Sequence, residues 1–195
     1  MGHASGLPVM NELTVDTALP ALRAGGVIAY PTEAVWGLGC DPAHEAAVMK
    51  LLQLKQRPVE KGMILVAADP AQLDGWVRME ALPPDRQGVV LGSWPGANTW
   101  ILPAGKRAPR WITGEHSGIA VRISAHPLVA ALCRAWGGPL VSTSANLAGE
   151  PPARTRAELD PRLLALLDGL IDGQTGGLAQ PTPIRDALTG QVLRS

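Results

Sequence analysis

Apolar residues in this chain come in short β-branched runs set off by glycine and proline, with helical spacing between the runs. Val27-Ile28-Ala29-Tyr30 follows Gly25-Gly26 and predicts a buried strand that Pro31 ends. Met63 to Ala68 is uninterruptedly apolar and predicts a second. Asn98 to Leu102, Gly118 to Ile123, Pro139 to Val141 and Leu170-Ile171 read as further strands. In Gly118–Ile123, period-two alternation puts Val121 and Ile123 on one face and Arg122 on the other.

Helical spacing fills the gaps. Ala18, Leu19, Ala21 and Leu22 predict a helix over 17–23. Val48, Leu51 and Leu52 predict another, capped by Asp41 with Pro42 at its first position, and Lys55 stands where that stripe would next place core. Asp69-Pro70 opens a short helix, His126-Pro127 opens one running to Trp136, and 158–167 carries inward leucines. Prolines 83, 84 and 95 make 81–96 a connector with one helical turn. Lys106–Gly118 reads as a basic loop without an assignable role, and Thr32–Gly39 as a loop in which Gly37 and Gly39 allow tight or left-handed backbone close to a ligand. Strand and helix alternate, so the fold class is α/β.

The length of 195 residues suits one domain, expected over 10–195 with 1–9 a flexible N-terminal segment. Formal net charge is zero with 17% charged residues, which excludes bulk attraction to nucleic acid or anionic membrane; any basic site must be local. Gly 22 and Pro 18 predict many ordered loops. With no Phe and one Tyr, the six Trp carry the aromatic packing. Two cysteines, Cys40 and Cys133, form neither a disulfide framework nor a zinc set. No run reaches the roughly 18 apolar residues of a membrane span, and Met1–Met10 lacks the features of a signal peptide, so the expected location is cytoplasmic.

Three of the four lysines (Lys50, Lys55, Lys61) fall in one stretch of a chain that otherwise prefers arginine. Lys55 and Arg57 pair a compact point charge with a planar fork, which suits a polyphosphate; they also suit the negative end of a helix dipole. If Lys55 is a desolvated ammonium on that stripe, Lys55→Ala should leave melting temperature level or raise it. Arg122 on a strand needs an anion, either an acidic residue on the next strand or a ligand carboxylate or phosphate. Ser142, Ser144 and Asn146 share one face if extended, a row that grips phosphate or an amino acid, or else makes a turn and cap. His126 reads as a cap. Neither Walker A nor G-x-G-x-x-G occurs.

Taken together, Tyr30-Pro31-Thr32-Glu33-Ala34-Val35-Trp36-Gly37-Leu38-Gly39, Lys55-Gln56-Arg57-Pro58, Ala120-Val121-Arg122 and Ser142-Thr143-Ser144-Ala145-Asn146 resemble the YrdC/TsaC family of threonylcarbamoyl-AMP synthases, in its short single-domain form. The resemblance covers roughly Thr17 to Arg194. It implies a twisted mixed sheet flanked by helices with a large concave basic cleft. It also implies an enzyme that joins L-threonine, bicarbonate and ATP into L-threonylcarbamoyladenylate and pyrophosphate, for threonylcarbamoyladenosine in tRNA. By resemblance, Lys55 and Arg57 are catalytic, and Lys55, Arg57, Ser144, Asn146 and Arg194 bind ATP. Thr32, Arg122, Ser142 and Thr182 line the threonine side. Mg2+ is implied through ATP phosphates, with no protein ligand assigned, and a tRNA-modifying transferase complex is the implied consumer. Longer relatives carry asparagine and histidine where Lys61 and Val66 stand, and threonine in place of Ala34. Two other readings stand beside this one: an RNA-binding or ribosome-associated module with a weak RNA contact in a basic cleft, and a related carbamoyl-adenylate enzyme.

Overall fold

Ten short strands pair into one mixed sheet flanked by helices. The computed structural model describes residues 9–194; the segment 1–9, expected to be flexible, lies outside them except for Val9. In chain order the elements are β1 (Glu12–Leu13), α1 (Val15–Arg23), β2 (Ile28–Pro31), β3 (Trp36–Gly39), α2 (Glu45–Leu54), β4 (Ile64–Ala67), α3 (Pro84–Gly92) and β5 (Thr99–Pro103). Then come α4 (Arg110–Thr113), β6 (Gly118–Ile123), α5 (Pro127–Trp136), β7 (Leu140–Ser144), α6 (Pro161–Leu164), β8 (Gly169–Ile171), β9 (Ile184–Asp186) and β10 (Val192–Arg194). Across the sheet the order is β1-β8-β2-β3-β7-β4-β6-β5-β9-β10.

On one face, α2 presents Ala47, Val48, Leu51 and Leu52 to a core of Trp36, Leu38, Leu65, Val121 and Val141. On the other, α1 and α5 pack together over Ile28, Tyr30, Val66 and Leu140. Ile64 pairs with Ser142 and Ile101 with Ala120; Ile64, Ile101 and Ala120 are half-buried and Ser142 is buried.

Several sequence expectations change for identifiable reasons. Trp36–Gly39 is not loop but β3, antiparallel to β2, and Pro31 sits within the ladder opposite Trp36 instead of ending it. Neither Gly37 nor Gly39 is left-handed; a Cβ on Gly39 would lie 2.5 Å from the Tyr30 hydroxyl and 2.7 Å from the Val141 carbonyl, so glycine is needed for close packing. His44, not Asp41, caps α2, its Nδ1 accepting from Ala47 N; Asp41 makes a local turn to Ala43 N. Proline opens α3 at its first position, so the expected connector is a nine-residue helix. Pro161 has the opposite effect on 158–167, which becomes a short 3-10 turn followed by the four-residue α6. His126 does cap α5, as expected, accepting from Leu128 N. Trp36, Trp76, Trp94 and Trp100 are buried.

Candidate active site

Two adjoining cavities open on the sheet. The larger, about 450 Å3, has Ile64, Ile101 and Ile119 in its floor and Arg57, Lys61 and Arg194 on its rim. A smaller one, about 180 Å3, runs between Thr32, Glu33, Arg122, Ser142 and Thr182. Ser142, Thr143 and Arg194 line both, so the cavities share a wall.

Lys55 is the C-cap of α2, where the stripe ends and the chain turns back through Gln56 at φ 45°. Its ammonium reaches across 89 residues of sequence to the end of β7. It donates to Ser144 O at 2.9 Å, Asn146 O at 2.9 Å and Asn146 Oδ1 at 2.8 Å, with Ser144 Oγ at 3.3 Å. Ser144 Oγ also donates to Asn146 Oδ1 at 2.5 Å, and Asn146 Nδ2 donates to Glu150 O at 2.8 Å. The three ammonium protons are therefore engaged by the Ser144–Asn146 turn, and neither Lys55 nor Asn146 lines either cavity. β7 ends at Ser144, so Ser142 and Ser144 share a strand face and Asn146 lies beyond it. Burial, and then the Arg57 guanidinium, push the Lys55 ammonium down to about 8.

Arg57 donates from Nε to Gly62 O at 3.0 Å, which holds its fork on the larger cavity. Burial and then Arg194 lower its pKa. Arg194, on edge strand β10, donates to Thr182 O at 3.4 Å and is lowered by burial and then by Arg122. Arg122 is buried on β6 and donates from Nη1 to Thr182 Oγ1 at 3.3 Å; that hydroxyl also meets Thr99 Oγ1 at 3.0 Å. The acid nearest to Arg122 is Glu33, whose Oε2 lies 3.6 Å from Nη2; it comes from the β2–β3 turn and not from a neighbouring strand. Thr32 spends its hydroxyl on Val35 O at 2.7 Å.

The Lys106–Gly118 stretch, given no role from sequence, supplies Ile112, Thr113 and His116 to the larger cavity. A signal was present in Gly62 and Gly114, both at positive φ. A Cβ on Gly114 would lie 2.2 Å from Glu60 O, and one on Gly62 2.9 Å from Ile112 O, so the two segments interlock through their backbones. Lys61 reaches the larger cavity, Ala34 lines the smaller one, and Val66 is core beneath α5.

A family model described as Sua5_yciO_yrdC, telomere recombination, matches residues 20–195. The chain belongs to the Sua5/YciO/YrdC family. Among the relatives of this family member, the threonylcarbamoyl-AMP synthase of Stenotrophomonas maltophilia (strain K279a) is 82% identical over 186 residues, 95% of this chain and 100% of that one. P. abyssi Sua5 complexed with L-threonine has a TM-score of 0.81 at 28% identity, over 88% of this chain and 50% of that one; the chain thus spans half the length of Sua5. E. coli YciO has a TM-score of 0.77 at 26% identity, over 95% and 94% of the two chains. These likenesses agree with the expected mixed α/β fold.

Proposed function

We propose that this chain is a threonylcarbamoyl-AMP synthase, joining L-threonine, bicarbonate and ATP into L-threonylcarbamoyladenylate with release of pyrophosphate and water. The observation that carries the reading is the shared wall: a larger cavity with an apolar floor and cationic rim meets a smaller one with a buried arginine, at Ser142 and Arg194. A purine and its phosphates suit the first, and an amino acid suits the second. The similarity to enzymes of that name, and to a structure holding L-threonine, supports both assignments.

The chemistry needs no protein nucleophile. The threonine amine adds to CO2 from bicarbonate, and a carbamate oxygen then attacks the α-phosphorus as pyrophosphate leaves. Arg57 and Arg194, which face the larger cavity, offset charge on the phosphates, while Lys55 fixes the turn that carries Ser144. Arg122 holds the threonine carboxylate, with Ser142, Thr182 and Thr32 around it. Among the described residues no three His, Cys, Asp or Glu side chains gather as a metal site; Mg2+ brought by ATP would supply further positive charge at the phosphates, which Arg57 and Arg194 face. Also among the described residues, no helix is long and apolar enough to cross a membrane. The product would pass to a tRNA-modifying transferase complex, and the location proposed for the enzyme is cytoplasmic. Pyrophosphate release from ATP tests the reading. It should require threonine and bicarbonate together and yield a threonylcarbamoylated AMP by mass; release indifferent to both would refute it.

A further inference from the structure

We infer that Glu33 makes the smaller cavity a filter for zwitterions, admitting an α-amino acid and excluding a carboxylate that lacks an ammonium group. The inference rests on the reading of that cavity as the amino-acid site, and it concerns a residue to which that reading gave no role.

Glu33 and Arg122 are 7% and 8% exposed and both line the cavity. A structural ion pair at this depth would close into a fork with two short hydrogen bonds. This one does not close. Its nearest approach is 3.6 Å, and among the described residues Glu33 Oε2 has no hydrogen-bond partner and neither has Arg122 Nε. The charges compensate one another while one oxygen of the acid and one nitrogen of the base stay unpaired.

The open geometry is built into the fold. Glu33 Oε1 accepts from Ser124 Oγ at 2.6 Å, and Ser124 Oγ in turn accepts from His126 N at the start of α5. The Glu33 backbone is pinned from outside, where Leu178 N donates to Glu33 O and Gly176 N to Thr32 O. On the arginine side, Thr182 Oγ1 accepts from Nη1 and is itself held by Thr99 Oγ1. Each charge is thus anchored by neutral partners that prevent full closure onto the other.

Charge conservation then decides what can enter. Arg122 and Glu33 together are neutral, and a zwitterion leaves the buried group neutral. A carboxylate without an ammonium group occupies Arg122 and strands Glu33 as an uncompensated buried anion, which is strongly unfavourable. A cation without a carboxylate strands Arg122 in the same way. Arg194 also lines this cavity, but it is exposed on edge strand β10, where water screens its charge, and it does not replace either member of the buried pair.

The test is calorimetric titration of the full chain with three ligands, threonine and two analogues that each lack one of its charges. These are L-threonine, 2,3-dihydroxybutyrate (hydroxyl in place of ammonium) and 1-amino-2-propanol (no carboxylate), with melting curves for every variant. Glu33→Gln should narrow the preference for threonine over dihydroxybutyrate by tenfold or more, about 1.4 kcal/mol. Glu33→Asp, which keeps the charge, should hold that ratio within threefold of wild type. Arg122→Gln, which leaves Glu33 as the lone charge, should shift preference toward the amino alcohol by tenfold or more, and it decides the matter if Glu33→Gln fails to fold. A wild type that binds threonine, with ratios that neither neutral variant moves, overturns the filter alone. A wild type that binds none of the three overturns the threonine site and the filter together.

Discussion

Removing the Lys55 ammonium separates two accounts of the site. Lys55→Ala deletes a donor that three oxygens of the Ser144–Asn146 turn share at 2.8–2.9 Å. A hydrogen bond from a charged donor contributes about 1.5–3 kcal/mol. The acceptors are only partly buried, so water replaces some of this, and relief of the ammonium's own desolvation offsets more; a net loss of about 2–3 kcal/mol remains. For a domain of this size each kcal/mol lowers melting temperature by about 2–4 °C, so a fall of about 5–10 °C is expected. The desolvation argument from sequence, which expects no fall or a rise, omits these acceptors. Turnover should also drop, by about a hundredfold, because a displacement of about 1 Å in a positioning turn has that effect. Melting and pyrophosphate release are measured on one preparation. A hundredfold loss of kcat with an unmoved melting temperature would mean that the ammonium acts on phosphate and does not brace the turn. Unchanged values of both would refute any role for Lys55.

Two further outcomes follow from the same geometry. Arg122→Lys keeps charge but loses the planar fork, so the threonine KM should rise about tenfold, and an unchanged KM would leave Arg122 a purely structural cation. The Lys55 ammonium, pushed down to about 8 from 10.5, should lose its charge near pH 8, so kcat/KM falls above that pH, and Lys55→Arg should move this limb upward. Because the folded pKa is the lower one, the unfolded chain binds more protons between about 8 and 10.5. The protonation-linked part of the Lys55 contribution is therefore fully present above 10.5 and lost as pH falls through about 8, on top of a bracing part that does not depend on pH. The difference in unfolding free energy between wild type and Lys55→Met should accordingly grow across that window; a flat difference in urea titrations would contradict the shift.

The parts of the fold legible in the sequence are those whose signal is local. β4 and β6 are runs of apolar residues between breakers, and Arg122 stands out because alternation isolates it. β3 was not legible, since Trp36-Gly37-Leu38-Gly39 owes its extended form to β2 and β7 on either side of it. The β9–β10 hairpin is exposed or half-covered throughout, so no apolar period marks it, yet it carries Arg194 to the shared wall. In the site, residue types were readable and partnerships were not. Nothing near Lys55 announces that its acceptors lie 89 and 91 residues away, and nothing near Glu33 announces that one of its oxygens goes unpaired.

Those partnerships also explain how a chain of zero net charge holds four cations close together. Arg57 depresses Lys55, Arg194 depresses Arg57, and Arg122 depresses Arg194, so each guanidinium opposes the charge of the next group along the cleft. Salt bridges would relieve this repulsion, and the fold uses almost none: Lys55 and Arg57 are held mainly by carbonyl and amide oxygens, and Arg122 by a hydroxyl. Neutral dipoles fix a cation in place without cancelling its charge. Of the two carboxylates that line the cavities among the described residues, Asp186 turns an oxygen to the backbone of its own hairpin, accepting from Leu188 N and Thr189 N, and Glu33 stands too far from Arg122 for a hydrogen bond. The free cleft therefore keeps its electrostatic cost unrelieved, and anions of the proposed substrates, phosphate on one side of Ser142 and carboxylate on the other, are what would relieve it.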